Sequence, residues 1–250
     1  MRTALLLLLS LLTPLAYSQS GPEQTLFQLI NQSRVESQLP PLAWDPALAR
    51  AAKMHAAKIA GIIGVAEHQY PGEPDLQTRA TMAGAKFVSI AENVAGSAPS
   101  ADIVHKAWMM SPGHRRNILN PAYNAVGIAV AEDNGALFSV ADFAHTSTVT
   151  NSVAAEKQVQ ELLRDHDIKL EASNQAQEDA RRNCESGATP QSHPILIMQW
   201  EASDFTQLPR ELLERLPAKS EKKQTAAVAS CAPQKPTPGF TAYRVAVLIY

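Results

Sequence analysis

"AVGIAVAEDNGALFSVADFA" occupies residues 125–144. Two apolar runs flank Asn134-Gly135, a dipeptide that tolerates the positive φ angles of a tight hairpin turn. A strand packed on one face alternates apolar and polar side chains, whereas these runs are apolar at nearly every position. Both faces of the sheet must therefore be covered. A layer of helices on each face makes this an α+β chain built as a three-layer α-β-α sandwich.

The segments around the hairpin supply those helices. "PEQTLFQLINQSRVESQ" (22–38) spaces Leu26, Leu29 and Ile30 helically, and "PPL" at 40–42 stops it. "DPALARAAKMHAAKIAG" (45–61) begins with Asp45 as N-cap and Pro46 at the first helical position. Leu48, Ala52 and Ile59 line its inner face, and His55 lies on that face as a satisfied, partly buried side chain. "EHQYPGEPD" (67–75) is turn-rich, which puts His68 on a loop. "LQTRATMAG" (76–84) reads as a short helix ended by Gly84, and "FVSIAENVAG" (87–96) starts as a strand. "SADIVHKAWMM" (100–110) reads as a helix capped by Ser100, with Ile103, Val104, Ala107 and Trp108 inward and His105 solvated. Met110, Tyr123 and Phe143 read as packing residues, and His145 lies at a strand exit.

The polar stretch "HTSTVTNS" (145–152) marks a boundary between a first domain at 22–148 and a smaller α+β module at 153–250. The second part reads as two helices, a strand, a short helix, a charged linker "KSEKKQ" (219–224) and two more strands. Each part has a leucine-bearing helix, a break, an alanine- and arginine-rich helix and closing paired strands. The second is thus a candidate for a degenerate copy of the first, an idea that different strand orders would end.

Arg2, the apolar run "ALLLLLSLLTPLA" (4–16) and the small residues Ala16 and Ser18 form a secretory signal peptide over residues 1–18. The expected location is secreted or periplasmic. The apolar run is short for a bilayer span and Pro14 interrupts it, so an integral membrane protein is not expected. Removing the signal leaves 21 basic against 24 acidic residues, a formal net charge of −3. That balance gives no footing for nucleic acid. Cys184 and Cys231 are the two cysteines, and an even count in an exported chain suggests a disulfide. No C-x-x-C, G-x-S-x-G, H-E-x-x-H or phosphate-cradling glycine loop is present.

Three polar residues carry the candidate chemistry: His68, Glu92 and His114. Ser111 caps a helix that begins at Pro112, which places His114 in the first turn. The positive end of the helix dipole disfavours imidazolium there. A neutral imidazole suits both a metal ligand and a general base. Two such histidines and a carboxylate could hold Zn2+ or another divalent cation, or polarise water without one. Glu67 and Glu73 are reserve carboxylates, and Asn93 reads as a backbone-bonding residue.

The stretch from "LFQLINQSRVESQLPPLAWDPALARAAKMHA" through "AENVAG" and "AWMMSPGHRRNILNPAYNAVGIAVA" to "LFSVADFA" resembles the CAP superfamily, the SCP-like extracellular domains, and most of all its bacterial branch. The resemblance covers about residues 22–146. It implies an α-β-α sandwich with a central cleft of two histidines and acidic residues that in some members binds zinc. His68, Glu92 and His114 match three of that set. Ser111 stands where eukaryotic relatives carry the fourth residue, a glutamate, and serine cannot replace a carboxylate as ligand or base at neutral pH. The expected function is a secreted binding module for a lipid, peptide or protein ligand. The alternatives are an exported metal-assisted or general-base hydrolase of peptidase type, and a structural cell-envelope protein.

Overall fold

The computed structural model describes residues 21–62, 66–147, 149, 151–216 and 224–250. The signal peptide expected over residues 1–18 and nearly all of the charged linker lie outside these residues.

The first half runs α1 (Pro22–Glu36), β1 (Ala43–Trp44), α2 (Pro46–Ala60), α3 (Leu76–Met82), β2 (Ser89–Ala98), α4 (Ala101–Met110), α5 (Pro112–Ile118), β3 (Ala125–Asp133) and β4 (Ala136–His145). Its four strands lie in the order β1-β3-β4-β2. β1 is parallel to β3; β4 is antiparallel to both β3 and β2. Asn134 and Gly135 turn the hairpin at φ 49° and 78°, the left-handed values that favour this pair of residue types.

The uninterrupted apolar runs sort into two faces. Val126, Ile128, Ala141 and Phe143 pack under α1 and α4, against Leu26, Ile30, Val104 and Trp108. Ala125, Ala129, Val140 and Ala144 point the other way, toward α2 and α3. Gly127 lets α2 lie directly on the sheet: a Cβ there would sit 2.0 Å from the Ala49 nitrogen. This is the three-layer sandwich read from residues 125–144.

Local signals set most helix ends. The Asp45 carboxylate accepts from the Ala47 and Leu48 amides, and Ser100 accepts from Ile103. Two details differ from the sequence reading of α4. Ile103 and Met110 are exposed, as is Ala107, and only Ala101, Val104 and Trp108 are buried on this helix. His105 is not solvated but shares a 3.0 Å hydrogen bond with Ser33 of α1. The two-residue strands β1 and, in the second half, β5 were not foreseen.

The second half runs α6 (Ser152–Asp165), β5 (Lys169–Leu170), α7 (Asn174–Ser186), β6 (Leu196–Ala202), α8 (Arg210–Arg215), β7 (Thr225–Cys231) and β8 (Tyr243–Ile249). Its strand order is β5-β7-β8-β6. β5 is parallel to β7, and β8 is antiparallel to β7 and β6. Strand for strand, this is the order and the sense of the first sheet. The layers also match, with α6 and α8 on one face and α7 on the other. A disulfide joins Cys184, at the end of α7, to Cys231, at the end of β7.

Even the open edges correspond. β1 covers β3 only as far as Val126, and β5 covers β7 only as far as Ala226. Four residues further on, the Val130 amide donates to the Glu23 carboxylate of α1 at 3.3 Å. Four residues past Ala226, Glu156 of α6 stands near the Ser230 backbone, which opposes the rise that burial gives its carboxyl pKa.

Candidate functional site

Glu92 lies in β2 directly across the ladder from Asp142 in β4. The alternation of the strand sends both toward the α2–α3 face, while Asn93 points to the α4–α5 face. Asn93 donates to the His114 carbonyl at 3.1 Å and accepts from Asn117 at 2.9 Å. Asn117 also donates to the Glu92 carbonyl at 3.3 Å. These bonds tie α5, and with it His114, to the strand that carries Glu92. Ser111 occupies the N-cap position of α5, but its side chain makes no capping bond.

The Glu92 carboxylate is 2% exposed and is engaged on both oxygens. His68 Nδ1 meets Oε1 at 2.9 Å. Arg79, fully buried on α3, donates through a terminal guanidinium nitrogen to Oε2. Arg79 also donates to the Pro74 carbonyl at 3.0 Å, which fixes the loop leading into its own helix. The His68 ring is itself 59% exposed. With Nδ1 held by Glu92, its Nε2 has no hydrogen bond among the described residues.

A second histidine stands behind the first. His55, fully buried on α2, lies 2.8 Å from Glu73 through Nδ1 and 2.9 Å from the Glu67 carbonyl through Nε2. The two contacts hold the ring between α2 and the loop that carries His68. Its Nε2 also lies 3.9 Å from Glu92. Glu73 is thus drawn into the cluster, while Glu67 contributes its backbone. His145 turns away to pair with Asp204 of the second module at 2.9 Å.

Charge is distributed unevenly across this cluster. The hydrogen bond to Glu92 raises the His68 pKa above its ordinary value, against the opposing effect of burial. Burial lowers that of His114, and the positive charge of His68 lowers it further. The two imidazoles, far apart along the chain, therefore act on each other through space. The direction at His114 is the one expected from its place in the first turn of α5. Burial, reinforced by the charge of Glu92, pushes the Asp142 carboxyl well above the usual carboxylate range. Neither of its oxygens finds a donor. The carboxylate facing it across the ladder is Glu92.

Arg79 and Asp142 are the members that sequence reasoning missed. Neither carries a local signature; an arginine in a short polar helix reads as solvated. Among the described residues, no three of His, Cys, Asp and Glu form a group that could hold a metal ion. As a third ligand beside His68 and His114, Glu92 would have to release His68 or Arg79. These residues do not fit a three-ligand cage.

Residues 27–143 match the model of the cysteine-rich secretory protein family, CAP. Over 117 residues the chain is 32% identical to the uncharacterized protein YkwD of Bacillus subtilis, covering 46% of this chain and 44% of that one. Among solved structures it is similar to an extracellular protein containing an SCP domain from Bacillus anthracis. That match has 28% identity, covers 50% of this chain and 41% of the other, and gives a TM-score of 0.46. A cysteine-rich secretory protein of Staphylococcus aureus gives 21% identity over 52% of this chain and 41% of its own, with a TM-score of 0.43. The chain therefore spans under half the length of each of these relatives.

Proposed function

Because residues 27–143 make this chain a member of the CAP superfamily, we propose that it is an exported interaction module. In this reading it works outside the cytoplasm, secreted or periplasmic, and takes its ligand at the His68–His114 face. One observation carries the reading: the Glu92 carboxylate is buried and both its oxygens are occupied. Such a group orients its neighbours and is not free to take a proton from water. It aligns His68 so that Nε2 faces solvent, in the way a carboxylate fixes the tautomer of a functional histidine.

The pair then offers complementary chemistry to one ligand. His68, with its raised affinity for protons, is the donor. His114, with its lowered affinity, is the acceptor. A peptide or protein presenting a carboxylate or carbonyl beside an N–H or O–H group suits that combination. No step of this reading is routed through a metal.

The test is a binding screen on the mature full chain with an acidic-peptide library and with lipid vesicles, followed by titration calorimetry on any hit. The expected result is that His68→Ala with His114→Ala weakens binding about tenfold or more, the scale of a lost polar contact. A peptide-cleavage assay on the same samples, with and without added zinc, is expected to stay blank. Cleavage that disappears with His68→Ala would replace this reading with the hydrolase, and metal retained at full content in the double variant would move the site elsewhere.

A further inference from the structure

We propose that the second module, a copy of the first fold without its histidine site, positions that site: its β7–β8 loop is a strap that holds α3, and through it Arg79, against Glu92. The shared topology makes the loop comparable with its counterpart. In the first sheet, Asn134-Gly135 joins the strands that correspond to β7 and β8. In the second, residues 232–242 take that place. The copy has also lost the imidazole. His55 follows the first residue of α2 by nine positions, and Asn183 follows the first residue of α7 by nine. There the asparagine accepts from Gln199, and its neighbour Cys184 is tied to β7.

This loop meets the first module at Phe87 and α3. The Phe87 amide donates to the Gly239 carbonyl at 2.9 Å, and the Thr241 amide donates to the Phe87 carbonyl at 3.0 Å. The rings of Phe87 and Phe240 meet edge to face at 4.8 Å. Gln77 of α3 donates to the Pro238 carbonyl at 3.4 Å. Gly239, at φ 80°, lies so close that a Cβ would sit 2.1 Å from Thr81 Oγ1 and 2.8 Å from the Phe87 ring. Gln77 and Thr81 flank Arg79 on a helix of seven residues, too short to be stable by itself. Phe87, fully buried, packs in the same cluster as Ala80 of that helix. The strap therefore grips α3 both directly and through the residue beneath it.

The experiment uses the full chain and three variants: Phe240→Ala, the milder Gln77→Ala, and Val247→Ala. The last removes a buried contact of the second module away from the loop. Amide exchange over residues 76–85 and the ring-nitrogen NMR signals of His68 are the readouts. Phe240→Ala is expected to speed exchange of the α3 amides about tenfold, the signature of local opening, and to shift the His68 signals. Gln77→Ala should do the same to a smaller extent, and Val247→Ala should do neither. Unmoved His68 signals in Phe240→Ala, or equal shifts in Val247→Ala, would overturn the proposal. If Phe240→Ala does not fold, Gln77→Ala against Val247→Ala decides by the same criterion.

Discussion

Arg79 of α3 and Glu92 of β2 form an ion pair in which both side chains are buried, 0% and 2% exposed. A charge left alone in such a place is costly, because nothing replaces the water it gave up. Arg79→Met should therefore lower stability by about 3–5 kcal/mol. Removing both charges, with Glu92→Leu added, should cost less than Arg79→Met alone. Urea unfolding of the two single variants and the double variant measures this directly. A double variant as unstable as the two losses summed would mean that the charges act independently.

The two exposed-side histidines should titrate on opposite sides of the ordinary value of 6.5. His68 binds its proton more tightly folded than unfolded. Its contribution to stability is fully present below about 6.5 and is lost as pH rises through its folded pKa. His114 works in reverse and costs stability as pH falls through its unfolded value. Proton NMR of the ring carbons resolves the two curves. A Glu92→Gln variant should bring the His68 curve down, because the largest cause of its shift is the bond to that carboxylate.

Asp142 should behave as a proton store beneath α2. Its folded pKa is raised, so between its unfolded and folded values the folded state holds the extra proton, and stability falls as pH rises. Asp142→Asn keeps the shape and a donor but does not titrate. Urea midpoints at pH 5 and pH 8 should show the variant gaining on the natural chain at the higher pH. A gap that does not change with pH would show that Asp142 is already ionised.

The Cys184–Cys231 link closes a loop with a sequence separation of 47. By the chain-entropy argument, its removal costs about 4 kcal/mol. Cys184→Ala with Cys231→Ala should lower the unfolding temperature of the second module. The first module has no disulfide of its own among the described residues and stands by packing. Calorimetry with and without reductant separates the two contributions.

The hairpin shows how much of this was legible. Asn134-Gly135 and the doubly apolar strands dictated the three layers, because turn geometry and two-sided burial leave local marks. The caps at Asp45 and Ser100 were equally local. β1 and β5 left none, since a two-residue strand has no period to detect. His68, Glu92 and His114 stood out as polar residues at element ends. Arg79 and Asp142 did not, because what makes them matter is the partner each meets across the fold. His105 likewise found Ser33 only through helix packing.

The glutamates beside the partly uncovered strands, Glu23 at Val130 and Glu156 at Ser230, have a consequence for solubility. An unpaired strand margin invites a second molecule to extend the sheet, the first step toward fibrils. A carboxylate already holding the free N–H takes away the donor that an incoming chain needs, and it repels that chain's carbonyl oxygens. A protein that carries the same architecture twice exposes this hazard twice, and it stations a glutamate at each margin.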